Sequence, residues 1–152
     1  MPLSTENRLG LHATLVTHIR HFIAATILFN QKVADRCGLH LTDMQCINLL
    51  DLLGPVTPGV LARYTGLTTG GVTVMLDRLE KAQMVKREPN PSDRRSVLIR
   101  INAAKLKKIN TLYSGINEQF AALLEETPES ELRSVVNFFS RMSAVRRQDP
   151  AE

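Results

Sequence analysis

Three groups of side chains in this 152-residue chain have the types and spacing for specific chemistry: a set of arginines, two cysteines and two histidine-containing pairs. Arg94 and Arg95 directly follow the turn-forming run Pro89-Asn90-Pro91-Ser92-Asp93, with Lys86 and Arg87 just ahead of it. Guanidinium groups on a projecting tip suit phosphate and the narrow, electronegative minor groove of duplex DNA. Cys37 and Cys46 invite a redox reading, which needs a lowered thiol pKa. Cys37 falls at the end of a helical pattern, the unfavourable end for that purpose, although the neighbouring Arg36 acts in the other direction. Cys46 lies among Met44, Leu49 and Leu50, where a buried small hydrophobe is the commoner fate. His18 and His21 stand at i, i+3, and Cys37-x-x-His40 makes a second pair, spacings a metal can use but weak ones. Solvent-facing or singly hydrogen-bonded histidines are the expectation, with no metal and no cofactor. Nothing resembles a nucleophile elbow, a phosphate-cradling glycine loop or a paired-carboxylate site, so an enzyme is not expected.

The charge is distributed unevenly. The chain carries 19 Lys and Arg against 15 Asp and Glu, a formal +4. Residues 61–110 hold eleven of the bases and four of the acids, a balance of +7, and the other 102 residues hold eight bases and eleven acids, a balance of −3. That split suggests a module facing a polyanion on a scaffold of different character. The different-class alternative is a helical protein-interaction module whose basic face meets an acidic partner. Hydrophobic content of 43% and charged content of 22% are those of a folded domain. No stretch is long and apolar enough to span a membrane, and residues 1–30 lack the layout of a secretory signal. With two cysteines and no disulfide framework, a reduced, cytoplasmic chain is expected.

The elements that must position these residues follow from periodicity and stop signals. Leu15, Ile19, Phe22, Ile23, Ile27 and Val33 keep to one side of a 3.6-residue period, which predicts a long helix over 4–36, ended at Gly38. Thr42 reads as the cap of a short helix through Leu53, with Asp43 at its positive end. Thr57-Pro58 opens a helix that Gly66 closes near Tyr64, and Thr68 opens the next, which runs to about Gln83. Strands are predicted over Val85–Glu88 and Ser96–Ile101, joined by the polar tip. Asn102 caps a second long helix striped by Leu106, Ile109, Tyr113, Ile116, Phe120 and Leu124. Thr127-Pro128 repeats the cap-then-proline signal and opens a last helix to about Arg147, after which Gln148 to Glu152 should fray.

Within this order, residues 58–77 have the grammar of a helix-turn-helix. Ala62 provides a small residue where two short helices approach, Gly66 tolerates a tight turn, and Leu61, Leu67, Val72 and Met75 lock the pair. A hairpin with an exposed tip follows directly, which makes the arrangement winged.

The segments Leu41-Thr42-Asp43-Met44-Gln45, Gly66-Leu67-Thr68-Thr69-Gly70-Gly71-Val72-Thr73, Leu76-Asp77-Arg78-Leu79-Glu80 and Pro91-Ser92-Asp93-Arg94-Arg95 resemble the MarR family of winged-helix transcriptional regulators. The resemblance covers residues 41–109 without gaps. It implies a mainly α fold with a small β-hairpin wing, forming a single unit over 1–152. The DNA-binding lobe would span 39–101, and the long helices over 4–36 and 102–147 would join two copies. It further implies a homodimeric repressor on palindromic double-stranded DNA, released by a small, often phenolic or anionic ligand, near which relatives place the position of Cys46. By position, Thr68, Thr69, Gly70, Gly71 and Thr73 face the major groove. No Arg, Asn or Gln there offers a bidentate base contact, so phosphate contacts and shape reading should matter more than direct readout. Arg95 is assigned to the minor groove and Arg94 to phosphate. Asp93 is expected to hold a wing arginine or Arg78 by a charge-assisted pair. Neither cysteine falls at the early first-helix position used by peroxide-sensing relatives.

Overall fold

The computed structural model describes residues 5–145. Its elements, in chain order, are α1 (Thr5–Cys37), α2 (Leu41–Leu53), α3 (Pro58–Thr65), α4 (Thr69–Lys81), β1 (Val85–Pro89), β2 (Val97–Ile101), α5 (Ala103–Glu126) and α6 (Glu129–Val145). The order matches the one read from the sequence, with ends displaced by one or two residues. Arg147 and the tail from Gln148 to Glu152 lie outside the described residues.

The chain divides into two compact units, Met1–Ile109 and Asn110–Glu152, with α5 running through the boundary. The core of the first unit is built mainly by four elements. Met44, Ile47 and Leu50 of α2, Leu61 of α3, Val72, Met75, Leu76 and Leu79 of α4, and Ile99 of β2 are all buried. Leu41–Leu53 and Thr69–Lys81 supply this core because their apolar residues recur every three or four positions and fall on one helix face. α1 joins it only through its last turns, where Val33 and Ala34 are buried. Further back along α1 the predicted apolar stripe is bare, with Phe22 61% exposed.

The hairpin pairs β1 and β2 antiparallel, Val85 opposite Ile101 and Arg87 opposite Ile99. The loop before α3 adds to it: the Ile99 N–H donates to the Val56 carbonyl at 2.8 Å, which ties β2 to the entrance of the helix-turn-helix. After α4 the chain turns at Gln83, whose φ of +58° lies in the left-handed region. The Met84 N–H donates back to Leu79 at 2.8 Å, closing the helix. Asn102 then does two things. Its side-chain oxygen accepts from the N–H groups of Ala104 (3.1 Å) and Lys105 (3.3 Å), capping α5, and its side-chain amide donates to the Gln83 carbonyl at 3.0 Å.

Three predicted caps differ. α3 starts on Pro58 as expected, but the Thr57 hydroxyl makes no cap hydrogen bond. α2 begins at Leu41, one residue before Thr42, because Asp43 reaches back to accept from the His40 N–H at 3.3 Å and starts the helix there. Thr127 does not cap α6; its hydroxyl donates to the Leu123 carbonyl at 2.6 Å and so belongs to the end of α5. The backbone carbonyl of Pro128 accepts from the N–H groups of Glu131 (3.0 Å) and Leu132 (3.1 Å) in the first turn of α6. Within the second unit the apolar positions of both helices stand in the open: Ile116, Phe120, Val135 and Phe139 are exposed, and Val136 is 67% exposed.

Candidate nucleic-acid interface

The turn between α3 and α4 is set by Gly66, at φ +69° and ψ 8°, a conformation that L side chains resist. Its N–H donates to the Ala62 carbonyl at 2.9 Å, closing α3. Thr65 secures the same corner: its hydroxyl donates to Leu61 at 2.8 Å and accepts from the Leu67 N–H at 3.4 Å. Leu61, Val72 and Met75 lock the pair as expected, while Leu67 and Ala62 are only half-buried.

Thr68 caps α4, its hydroxyl oxygen accepting from the Gly71 N–H at 3.2 Å. Thr68, Thr69, Gly70 and Thr73 are exposed together on one side of the helix start, with Gly71 half-buried behind them. A side chain at Gly70 would meet nothing within 4 Å, so the helix presents bare backbone there. Val74 shares this exposed side at 57% exposure, an apolar side chain beside the threonines.

Arg78 does not pair with Asp93. Its guanidinium holds Asp43 with two contacts, at 2.6 Å and 3.3 Å, and Asp43 is 1% exposed. One carboxylate therefore starts α2 and fixes α4 against it. Asp93 stays within the wing tip, where its oxygen accepts from the Arg95 backbone N–H at 3.0 Å. It shapes the loop and, among the described residues, grips no guanidinium. Asn90 and Ser96 close the same tip: the Asn90 amide donates to the Ser96 hydroxyl at 2.8 Å, and Asn90 accepts from the Ser92 N–H at 3.0 Å.

The wing bases separate into two classes. Arg87 lies on the inner face of the hairpin and bridges to α4, with Asp77 at 2.7 Å and with Glu80. On the outer face Glu88 takes Lys86 and Arg100, each at 2.6 Å, and these two, Arg100 first, hold its carboxyl below the ordinary range. Arg94 and Arg95 are exposed, and among the described residues neither is held in an ion pair. The sequence pattern carried a signal for this division, since period-2 alternation from the buried Val85 turns Arg87 inward. The Asp43–Arg78 pair, 35 residues apart, had no such signal.

The cysteines behave as packing groups. Cys46 is fully buried, and burial, followed by the nearby Asp43 charge, pushes its thiol up to about 12. Cys37 is half-buried and its thiol is likewise raised by burial. His18, His21 and His40 are all exposed. Among the described residues no three His, Cys, Asp or Glu side chains gather as a metal site. No helix among them is long and apolar enough to cross a membrane.

Residues 38–96 match the model of the MarR family. An uncharacterized HTH-type transcriptional regulator of Bacillus subtilis, YcgE, is 38% identical over 148 residues, covering 97% of this chain and 96% of its own. The chain belongs to the MarR family. It is a DNA-binding transcriptional regulator with a winged helix-turn-helix, and α4 occupies the place of the second helix of that motif. Solved MarR-type structures share the fold. A MarR-family regulator from Silicibacter pomeroyi superposes with a TM-score of 0.70 at 16% identity, over 99% of both chains. AbfR of Staphylococcus epidermidis gives 0.63 at 19% identity, over 95% of this chain and 98% of its own, and has also been solved overoxidised and bound to DNA.

Proposed function

We propose that this MarR-type protein is a homodimeric repressor that binds a palindromic operator through two winged lobes and leaves it when a small phenolic or anionic ligand binds. The observation that carries the dimer is the set of uncovered apolar faces on α1, α5 and α6 in a chain with one recognition helix. Exposed side chains such as Phe22, Phe120 and Val136 exceed what a monomer normally leaves open, and a second copy of the same helices would cover them. Residues 39–101 then act as the DNA-binding lobe, with 4–36 and 102–147 as the dimerisation region, in the cytoplasm where the chromosome lies.

Two copies of α4 enter successive major grooves about one helical turn apart. Thr68, Thr69, Gly70, Gly71 and Thr73 meet bases and backbone there, Arg95 enters the minor groove and Arg94 meets phosphate. Arg78 acts from behind through Asp43, and Asp93 acts through the backbone of the tip. A thiol switch has no comparable support, because both thiols are raised and neither is poised as a thiolate.

The test is a gel-shift titration with palindromic, half-site and random duplexes. The palindrome should bind with cooperative occupancy of both halves, survive competitor, and release on addition of small phenolic or anionic compounds. Arg95→Ala should weaken binding about tenfold and flatten the preference for A·T-rich flanks. Equal affinity for half-site and palindrome would refute the dimeric reading, and no preference over random duplex would refute operator recognition.

A further inference from the structure

The exposed side of α4 is unusually poor in groups that read bases by hydrogen bonds. From its start to Asp77 it presents Thr69, Gly70, Thr73, Val74 and Asp77. Asp77 is occupied, since its carboxylate holds Arg87 at 2.7 Å. Gly70 offers no side chain. The Thr73 hydroxyl donates its proton to the Thr69 carbonyl at 3.0 Å, which leaves Thr73 a methyl group and an acceptor oxygen. Val74 is 57% exposed and wholly apolar. Guanine and adenine are read bidentately by Arg, Lys, Asn or Gln, and none of these stands between Thr69 and Asp77; Arg78, just beyond, is held by Asp43, and Lys81 lies at the far end of the helix. Of the four bases, thymine alone offers an apolar group, its C5-methyl, in the major groove.

We propose that α4 recognises its operator through thymine C5-methyl groups, with Val74 and the Thr73 methyl as the specificity-determining contacts. The inference rests on α4 being the major-groove helix. Two other features serve it. Apolar contact requires approach to about 4 Å, and the missing side chain at Gly70 lets the helix come that near. The carboxylates of Asp77 and Glu80, which would repel phosphate on this side, are partly offset by Arg87, while Arg94 and Arg95, held in no ion pair among the described residues, supply the attraction. Affinity then comes from the wing and backbone, and selectivity from methyl groups.

The test uses a duplex enriched by the full-length protein from a random-sequence pool, resynthesised with deoxyuridine replacing each thymidine in turn. Deoxyuridine removes the methyl and keeps every hydrogen-bonding group. At one or two positions per half-site, affinity should fall about three- to fivefold, the equivalent of one buried methyl. In Val74→Ala the same replacement should have a smaller effect, as expected of two groups in contact. Thr73→Val should bind like wild type and Thr73→Ser should not. Tolerance of deoxyuridine at every position would overturn the proposal. So would wild-type binding by Thr73→Ser with loss in Thr73→Val, because the oxygen would then be the reader. Specific binding insensitive to deoxyuridine removes the methyl reading alone, whereas failure to enrich any duplex removes the groove assignment of α4 and this inference with it.

Discussion

The carboxylate of Asp43 sits between the Arg78 guanidinium and the His40 amide with almost no contact with water. The two ends of the pair are not equivalent, because the Arg78 side chain is 40% exposed. Removing Asp43 frees an arginine that can turn to solvent, and removing Arg78 strands a buried carboxylate. Arg78→Ala should therefore destabilise the fold by about 2–4 kcal/mol, and Asp43→Ala by about 1–2 kcal/mol, mostly through the lost cap. Urea unfolding of the two variants should show this order, and the reverse order would mean that the pair is not the main tie between α2 and α4. Cys46 gives a prediction in pH. Its thiol is raised to about 12 in the folded chain from an ordinary 9.0. Above pH 9 the unfolded chain loses this proton while the folded chain keeps it, so stability falls as pH rises. The loss should reach about 1 kcal/mol at pH 10. Alkaline unfolding of Cys46→Ala should lack that increment of slope.

Helix ends decide how much of this molecule can be read along the chain. Gly66, Thr68 and Asn102 mark their boundaries correctly because each signal acts within three or four residues, on backbone groups next to it, while Thr57-Pro58 marks its helix through the proline at the first helical position. Gln83 gave no such signal, since glycine or asparagine usually occupies a left-handed helix end. Here Asn102, far along the chain, takes the Gln83 carbonyl and helps hold the conformation. Gln83→Gly should relieve that strain and raise stability by about 0.5–1 kcal/mol, measured by thermal unfolding. A destabilised variant would show that the glutamine side chain contributes more than its backbone geometry takes away. The candidate site was legible to the same degree. The exposed threonines and wing arginines follow from local patterns. The partners of Arg78 and Arg87 depend on which elements meet, and the basic window gave no sign that at least four of its eleven cations are tied up in internal pairs.

That internal pairing changes what the net charge means for the whole protein. With Arg78, Lys86, Arg87 and Arg100 already facing carboxylates, fewer cations are left to displace counterions than a balance of +7 suggests. The salt dependence of DNA binding should be correspondingly moderate, a slope of log affinity on log salt near that of a few phosphates per lobe. The apolar faces of the helices carry the matching prediction for assembly. Val136→Glu places a charge at an exposed position of α6, so a single chain should still fold. The proposed dimer should then separate, with sedimentation giving the mass of one chain and operator affinity falling at least tenfold as the two lobes lose their linkage. An unchanged dimer would place the interface elsewhere.

Gly70 has a consequence on the timescale of lineages. Any side chain added there points into open space, and helix propensity does not oppose the change. On the proposed placement of Gly70 in the major groove, one copy can after a gene duplication acquire an asparagine or arginine at this position and with it a new base preference, without passing through a poorly folded intermediate. Divergence of such paralogues is then limited by the promoters available to them and hardly at all by folding.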